Sequence, residues 1–196
     1  MLGGVELVFL DMDGVIYRGS EPIEGAVEAV EKLKKRVKKV LFTTNNATLS
    51  RRNYIKKLRK MGINSKKSEI LTSAYAAALY LKNMGKAKVL PIGEEGLREE
   101  LRGAGVQMVD LQHPEKATHI VAGLDRRLNY QKIAAAAKAI FSGAEFIATN
   151  ADPTYPTETG AMPGAGATIG AISGCTGKKP TLVTVSYTHL TLPTKA

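Results

Sequence analysis

Two short clusters carry the groups best suited to chemistry. Phe9-Leu10-Asp11-Met12-Asp13-Gly14-Val15 sets two carboxylates one residue apart at the end of an apolar run. Carboxylates this close repel each other when both are ionised, which favours a bound hard cation such as Mg²⁺. With that charge screened, one carboxylate can attack phosphorus while its neighbour handles the leaving-group proton. Phe42-Thr43-Thr44-Asn45-Asn46 supplies hydroxyls followed by two amides, neutral donors for phosphate oxygens. Each cluster alone also reads as an ordinary turn, since Asp, Asn and Gly dominate turns. An EF-hand calcium loop starting at Asp11 is excluded. It needs an oxygen ligand at position 5 and Glu at position 12, where the chain has Val15 and Pro22.

What lends the clusters weight is the pattern around them. Val5 to Leu10 is a nearly continuous apolar run, broken by Glu6, that suits a buried parallel strand. Residues 24–36 follow with Val27, Val30 and Leu33 at helical spacing, then Val40-Leu41-Phe42 as a second strand. Ser50 is expected to cap a helix with an apolar face of Tyr54, Ile55, Leu58 and Met61, stopped by Gly62. Ser73 is expected to cap another that ends at Gly85. In parallel α/β sheets, ligands bind outside the carboxyl ends of the strands, so both clusters should converge on one rim.

The pattern restarts after residue 85. Strands are expected at Lys88–Ile92, Val106–Val109, His119–Val121 and Glu145–Thr149, and helices at Glu94–Arg102, Tyr130–Phe141 and from Gly164 to Ile172. Two α/β units in tandem are the simplest reading.

Asp11-Met12-Asp13-Gly14-Val15 and Phe42-Thr43-Thr44-Asn45-Asn46-Ala47 resemble the first two motifs of the haloacid dehalogenase superfamily, and more narrowly its NagD-like and 4-nitrophenylphosphatase-like phosphatases. The similarity continues through Thr72-Ser73, Pro91-Ile92-Gly93, Gly123-Leu124-Asp125, Ala148-Thr149-Asn150-Ala151-Asp152 and Met162-Pro163-Gly164-Ala165-Gly166. The resemblance implies a Rossmann-like α/β core, incomplete at its C-terminus, with an inserted α/β cap of the C2 type. It places the first part of the core at residues 1–82, the cap at 83–178 and the start of a return to the core at 179–183.

By the same resemblance Asp11 is the nucleophile that forms an aspartyl-phosphate and binds Mg²⁺. Asp13 is the general acid/base and ligates Mg²⁺ through its backbone carbonyl. Thr44 and Asn45 hold the phosphoryl group, and the cap loop with Asn150 and Asp152 lies over the site. The implied reaction is Mg²⁺-dependent hydrolysis of small-molecule phosphomonoesters, by an enzyme that can dimerise through its cap.

The resemblance also implies a later Gly-Lys-Pro lysine and a further acidic motif that completes the metal site. Gly177-Lys178-Lys179-Pro180 looks like the lysine motif but reads as the closing segment of the cap. Val185 to Thr194 then matches the in-frame translation of a transposase mosaic-end adapter, so 184–196 is taken as a non-native tail; an ordinary polar extension is the alternative. His189 is left out of the candidate ligands for that reason. The expectation is a phosphatase impaired by truncation; the alternative is a non-catalytic fragment that binds phosphate ligands.

Composition narrows the partners. With 44% hydrophobic and 23% charged residues the chain is of ordinary globular type, neither disordered nor a disulfide scaffold. Cys175 is the only cysteine, which fits a reducing compartment. No run reaches the ~18 apolar residues of a membrane helix, and Met1-Leu2-Gly3-Gly4 lacks the features of a signal peptide. A cytoplasmic protein without a membrane partner is expected. The net charge of +10 raises nucleic acid as a partner, but Lys34-Lys35-Arg36, Lys56-Lys57 and Lys66-Lys67 come with no nucleic-acid motif and read as surface charge. The run Gly164 to Gly170 misses the dinucleotide fingerprint by one residue. His113 and His119 lack partners at metal spacing and are expected at a surface or strand edge, and Cys175 as a half-buried filler.

Overall fold

The computed structural model describes residues 4–157 and 160–185. The chain forms two parallel α/β layers. The first opens with β1 (Leu7–Asp11), the two-residue antiparallel ribbon β2 (Tyr17–Arg18) and β3 (Glu21–Pro22), and α1 (Ala26–Lys34). It continues through β4 (Lys39–Thr44), α2 (Arg51–Lys60), β5 (Ile70–Thr72) and α3 (Ser73–Asn83). Its sheet has the order β1-β4-β5, all parallel, with Asp11 opposite Thr43 and Thr44 opposite Thr72. This register brings the ends of β1 and β4 level, and the polar residues that follow share one rim.

Local chemistry explains the helix boundaries. Ser50 caps α2, its hydroxyl accepting from Asn53 N at 3.4 Å, and Gly62 ends that helix region at φ 88°. The cap of α3 is Thr72, whose Oγ1 accepts from Tyr75 N at 3.1 Å, and not the expected Ser73. Ser73 already lies in the first turn, and its hydroxyl donates to the Asn45 carbonyl at 2.7 Å. Met12, Tyr17, Phe42, Tyr54, Leu58 and Ile63 fill the core between β1, β4 and the helices.

The second layer comprises β6 (Lys88–Ile92), α4 (Glu95–Gly103), β7 (Gln107–Met108), β8 (His119–Ala122), α5 (Tyr130–Phe141) and β9 (Glu145–Ala148). An antiparallel hairpin of β10 (Thr154–Thr157) and β11 (Gly160–Pro163) follows, then α6 (Ala165–Thr176) and β12 (Thr181–Leu182). The sheet order is β12-β9-β8-β6-β7, all parallel.

Three features differ from the sequence reading. The hairpin of β10 and β11 contains Pro156 and Pro163, which removes the strand signal; it forms because a two-stranded ribbon has open edges on which proline costs no ladder bond. A short strand that the pattern did not announce, Thr181–Leu182, pairs with β9 and covers an edge otherwise left open. Finally, α3 buries Ala74, Ala77, Ala78 and Leu81 against Val89, Leu97, Leu101, Val121 and Ile147, so it packs on the second sheet.

The two layers are tied at α4. Gly96 N donates to Thr48 O at 3.1 Å. Glu100, 5% exposed, accepts from Arg51 N at 2.7 Å and from Arg51 Nε at 3.0 Å, while the Arg51 guanidinium lies over the Tyr75 ring. The adapter-like residues from 186 onward, His189 included, lie outside the described residues. No helix among the described residues is long and apolar enough to cross a membrane.

Candidate active site

The ends of β1 and β4 meet. Gly14 takes φ 80°, a left-handed turn that other residues resist, and its N–H donates to Tyr17 O at 2.8 Å. The turn folds Asp13 back over the sheet end, where its Oδ2 accepts from Thr44 Oγ1 at 2.8 Å and from the Tyr17 hydroxyl at 3.2 Å. Asp11 accepts from Met12 N at 2.9 Å through Oδ1. Thr44 Oγ1 also accepts from Asn46 N at 3.0 Å, so one hydroxyl links the two clusters. Asn46 Oδ1 in turn accepts from Thr48 N and Thr48 Oγ1, at 3.0 and 2.7 Å, which closes the turn beyond β4.

The second layer roofs this rim. Asp152 Oδ2 accepts from Asn150 Nδ2 at 2.6 Å and, across the gap between layers, from Asn45 Nδ2 at 3.2 Å. The glycine-rich run that resembled a dinucleotide fingerprint serves this loop. A Cβ on Gly164 would stand 2.3 Å from Asp152 O, and Gly166 N donates to that same oxygen at 2.9 Å. Only glycine lets the start of α6 approach the loop so closely. Thr184 donates to Asn45 Oδ1 at 2.8 Å, and Val185 is buried against the same space.

Together these residues enclose a cavity of about 270 Å³ lined by Asp11, Asp13, Thr44, Asn45, Asn150 and Asp152, with Tyr155 and Leu124 as its larger side chains. All six sequence candidates therefore face one space. The electrostatics are lopsided, because three carboxylates line the cavity and no Lys, Arg or His does so among the described lining residues. Burial pushes the Asp11 carboxyl above the usual aspartate range; the Met12 N–H opposes this, and the charges of Asp13 and Asp152 add to it. Burial likewise holds the Tyr17 phenol far above its ordinary value, so it stays a proton donor to Asp13. Burial lowers Lys57, whose ammonium lies 3.5 Å from the Tyr17 ring centroid.

These donors suit a hard cation. Mg²⁺ is commonly held by one or two carboxylates completed by water and substrate phosphate, and Asp11 and Asp13 offer that pair. No group of three acidic, His or Cys side chains within metal-binding reach occurs among the described residues.

Sequence reasoning missed Tyr17, whose hydroxyl orients Asp13. It also missed Arg51 and Glu100, whose pairing across the layers leaves no local signal. His119, expected at a surface or edge, lies 9% exposed in β8, an interior strand, and Cys175 is exposed near the end of α6 and not half-buried.

Known proteins are similar to this chain in sequence and fold. The model of the haloacid dehalogenase-like hydrolases matches residues 8–107, which span both clusters and the first part of the second layer. An acid sugar phosphatase of Staphylococcus epidermidis is 37% identical over 175 residues, covering 89% of this chain and 66% of that protein. The p-nitrophenyl phosphatase of Archaeoglobus fulgidus superposes with a TM-score of 0.84 at 40% identity, over 93% of this chain and 69% of that one. A glycerol phosphate phosphatase of Mycobacterium tuberculosis, in complex with magnesium, gives 0.82 at 32% identity over 91% and 54%. The chain spans 57% to 66% of the length of the curated relatives it matches. With the paired aspartates and the Thr-Asn turn lying inside the matched segment, the chain belongs to the haloacid dehalogenase-like hydrolases.

Proposed function

We propose that this site hydrolyses small-molecule phosphomonoesters through an aspartyl-phosphate on Asp11. The observation that carries the reading is the 2.8 Å bond from Thr44 to Asp13, which joins the two strand-end clusters over one cavity. Residues 1–82 form the first part of the core and 83–178 the cap, whose Asn150 and Asp152 close over the leaving group. Asp11 attacks phosphorus, the ester P–O bond breaks, and its electron pair leaves with the alcohol oxygen. Asp13 supplies the proton to that oxygen. Its Oδ2 is committed to Thr44 and Tyr17, so the mobile proton belongs on Oδ1. In the second half Asp13 takes a proton from water, the water oxygen bonds to phosphorus and the P–O bond to Asp11 breaks, releasing phosphate. Thr44 and Asn45 hold the phosphoryl oxygens, and positioning of this kind is the main protein contribution to phosphoryl transfer.

The Asp11 carboxylate and the Asp13 carbonyl would hold Mg²⁺, which when bound supplies positive charge for the phosphoryl oxygens. A dianionic ester entering among three carboxylates needs such a counter-charge. The reading carries with it a small phosphate ester as partner, a cytoplasmic setting and a homodimer through the cap, where Tyr130 and Phe141 stand exposed.

A second reading, a non-catalytic phosphate-binding fragment, is favoured by the lack of a cationic side chain among the described lining residues. Assay of 4-nitrophenyl phosphate with Mg²⁺ separates the two. Turnover that falls by roughly 10³ or more in Asp11→Asn supports the phosphatase. Binding of orthovanadate without turnover supports the second reading, and full activity in Asp11→Asn refutes the assigned nucleophile.

A further inference from the structure

The second sheet contains a crevice of its own. Its chain begins at β6, adds β7 on one side, then crosses to place β8, β9 and β12 on the other. The reversal leaves a switch point between β6 and β8, and in open parallel sheets ligands bind beyond the carboxyl ends of the strands at such a point. A cavity of about 470 Å³ lies there, lined by Glu94 and Arg98 after β6, Asp125, Arg126 and Arg127 after β8, and Lys132 of α5. None of these takes part in the phosphoryl transfer described above.

The crevice is built on a buried ion pair. Asp125, 5% exposed, accepts from Lys132 Nζ at 2.7 Å and from Arg127 N at 2.9 Å, while Lys132 also donates to Arg127 O at 3.0 Å. Burying charge is unfavourable unless every group is satisfied, and this network fixes the loop after β8. Arg126 is spent on a two-pronged pair with Glu94, at 2.7 and 2.6 Å. Two guanidiniums remain. Among the described residues the Arg98 guanidinium donates to Pro91 O alone, at 3.3 Å, and Arg127 makes no ion pair with a carboxylate, although its charge reaches Glu94.

The lining has no apolar side chain among the described residues, so it offers no wall for a nucleobase or flavin. It combines guanidiniums held in no ion pair among the described residues with the carboxylates of Glu94, paired with Arg126, and Glu95, paired with Arg102 at 3.4 Å, whose remaining lone pairs accept from hydroxyls. We propose that this crevice binds a phosphorylated sugar or polyol, its phosphate on Arg98 and Arg127 and its hydroxyls on Glu94 and Glu95.

The test is a titration of the full ¹⁵N-labelled chain with glucose 6-phosphate in EDTA. Saturable shifts of the Arg126 and Arg127 amides are expected, with inorganic phosphate and glucose each bound at least ~10-fold more weakly. Arg127→Gln, at an exposed side chain outside any ion pair among the described residues, is expected to weaken binding about ten-fold; Arg98→Gln should do the same, each variant checked for an unchanged spectrum. Shifts confined to Asp13, Thr44 and Asn45, unchanged affinity in Arg127→Gln, equal affinity for inorganic phosphate, or no saturable shift would each overturn the assignment.

Discussion

Gly96→Ala tests the seam that holds the roof over the site. A Cβ at Gly96 would stand 2.4 Å from Leu49 C and 2.5 Å from both Leu49 N and Thr48 C, all backbone atoms, where ordinary contact begins near 3.4 Å. The helix α4 or the turn must therefore move by about 1 Å, given the usual separation of packed carbons. Such a shift strains the bond from Gly96 N to Thr48 O and the Arg51–Glu100 pair one helical turn further on. Overpacking of this kind costs about 1–3 kcal/mol. For a chain of this size about 2 kcal/mol lowers the melting temperature by roughly 4–8 °C. Gly103→Ala is the matched control: it lies in the same helix, meets nothing within 4 Å and has no left-handed φ. It should gain about 0.5–1 kcal/mol from helix propensity alone. Thermal melts of the two variants should move in opposite directions. If Gly96→Ala melts with or above the parent chain, the close seam is not real and the roof is not fixed as described.

Two other perturbations have definite signs. In EDTA, Asp11→Asn should melt higher than the parent chain near neutral pH, because burial raises the Asp11 carboxyl and the folded state resists its ionisation. Stability of the parent chain falls as pH rises from the ordinary aspartate range through the raised folded value, so the advantage should vanish on acidification. An advantage that grows as the pH falls would contradict the assigned burial. Glu100→Gln leaves the nearly buried Arg51 guanidinium, 12% exposed, without its counter-charge, and chemical denaturation should show a loss of roughly 3 kcal/mol; a loss indistinguishable from a surface variant would mean the pair does not join the layers.

The parts of this molecule that were legible in the sequence are those governed by local pattern. Val40 to Phe42 is apolar because β4 is covered, and Thr44 and Asn45 follow at its end; Val5 to Leu10 does form the parallel strand its pattern implied, but as an edge strand it is only partly buried, with Val5 and Leu7 exposed. Strand-end position then implied that Asp11, Asp13, Thr44 and Asn45 converge, the family resemblance added Asn150 and Asp152, and all six line one cavity. What stayed hidden depends on contacts distant in the chain. Tyr17 looks apolar until Asp13 is folded back on it, and the alanine face of α3 does not state which sheet it will meet. The contact between Gly96 and Leu49 shows only in three dimensions, and β12 is a strand because β9 offers it an edge. Gly164 and Gly166 were visible but ambiguous, since close approach to a backbone and close approach to a pyrophosphate ask for the same residue.

The most direct test of the convergence is orthovanadate binding to the full ¹⁵N-labelled chain, with and without Mg²⁺. Saturable, Mg²⁺-dependent binding that moves the amides of Asp13, Thr44 and Asn45 together is the predicted result. Binding indifferent to Mg²⁺, or shifts that leave either cluster unmoved, would contradict it.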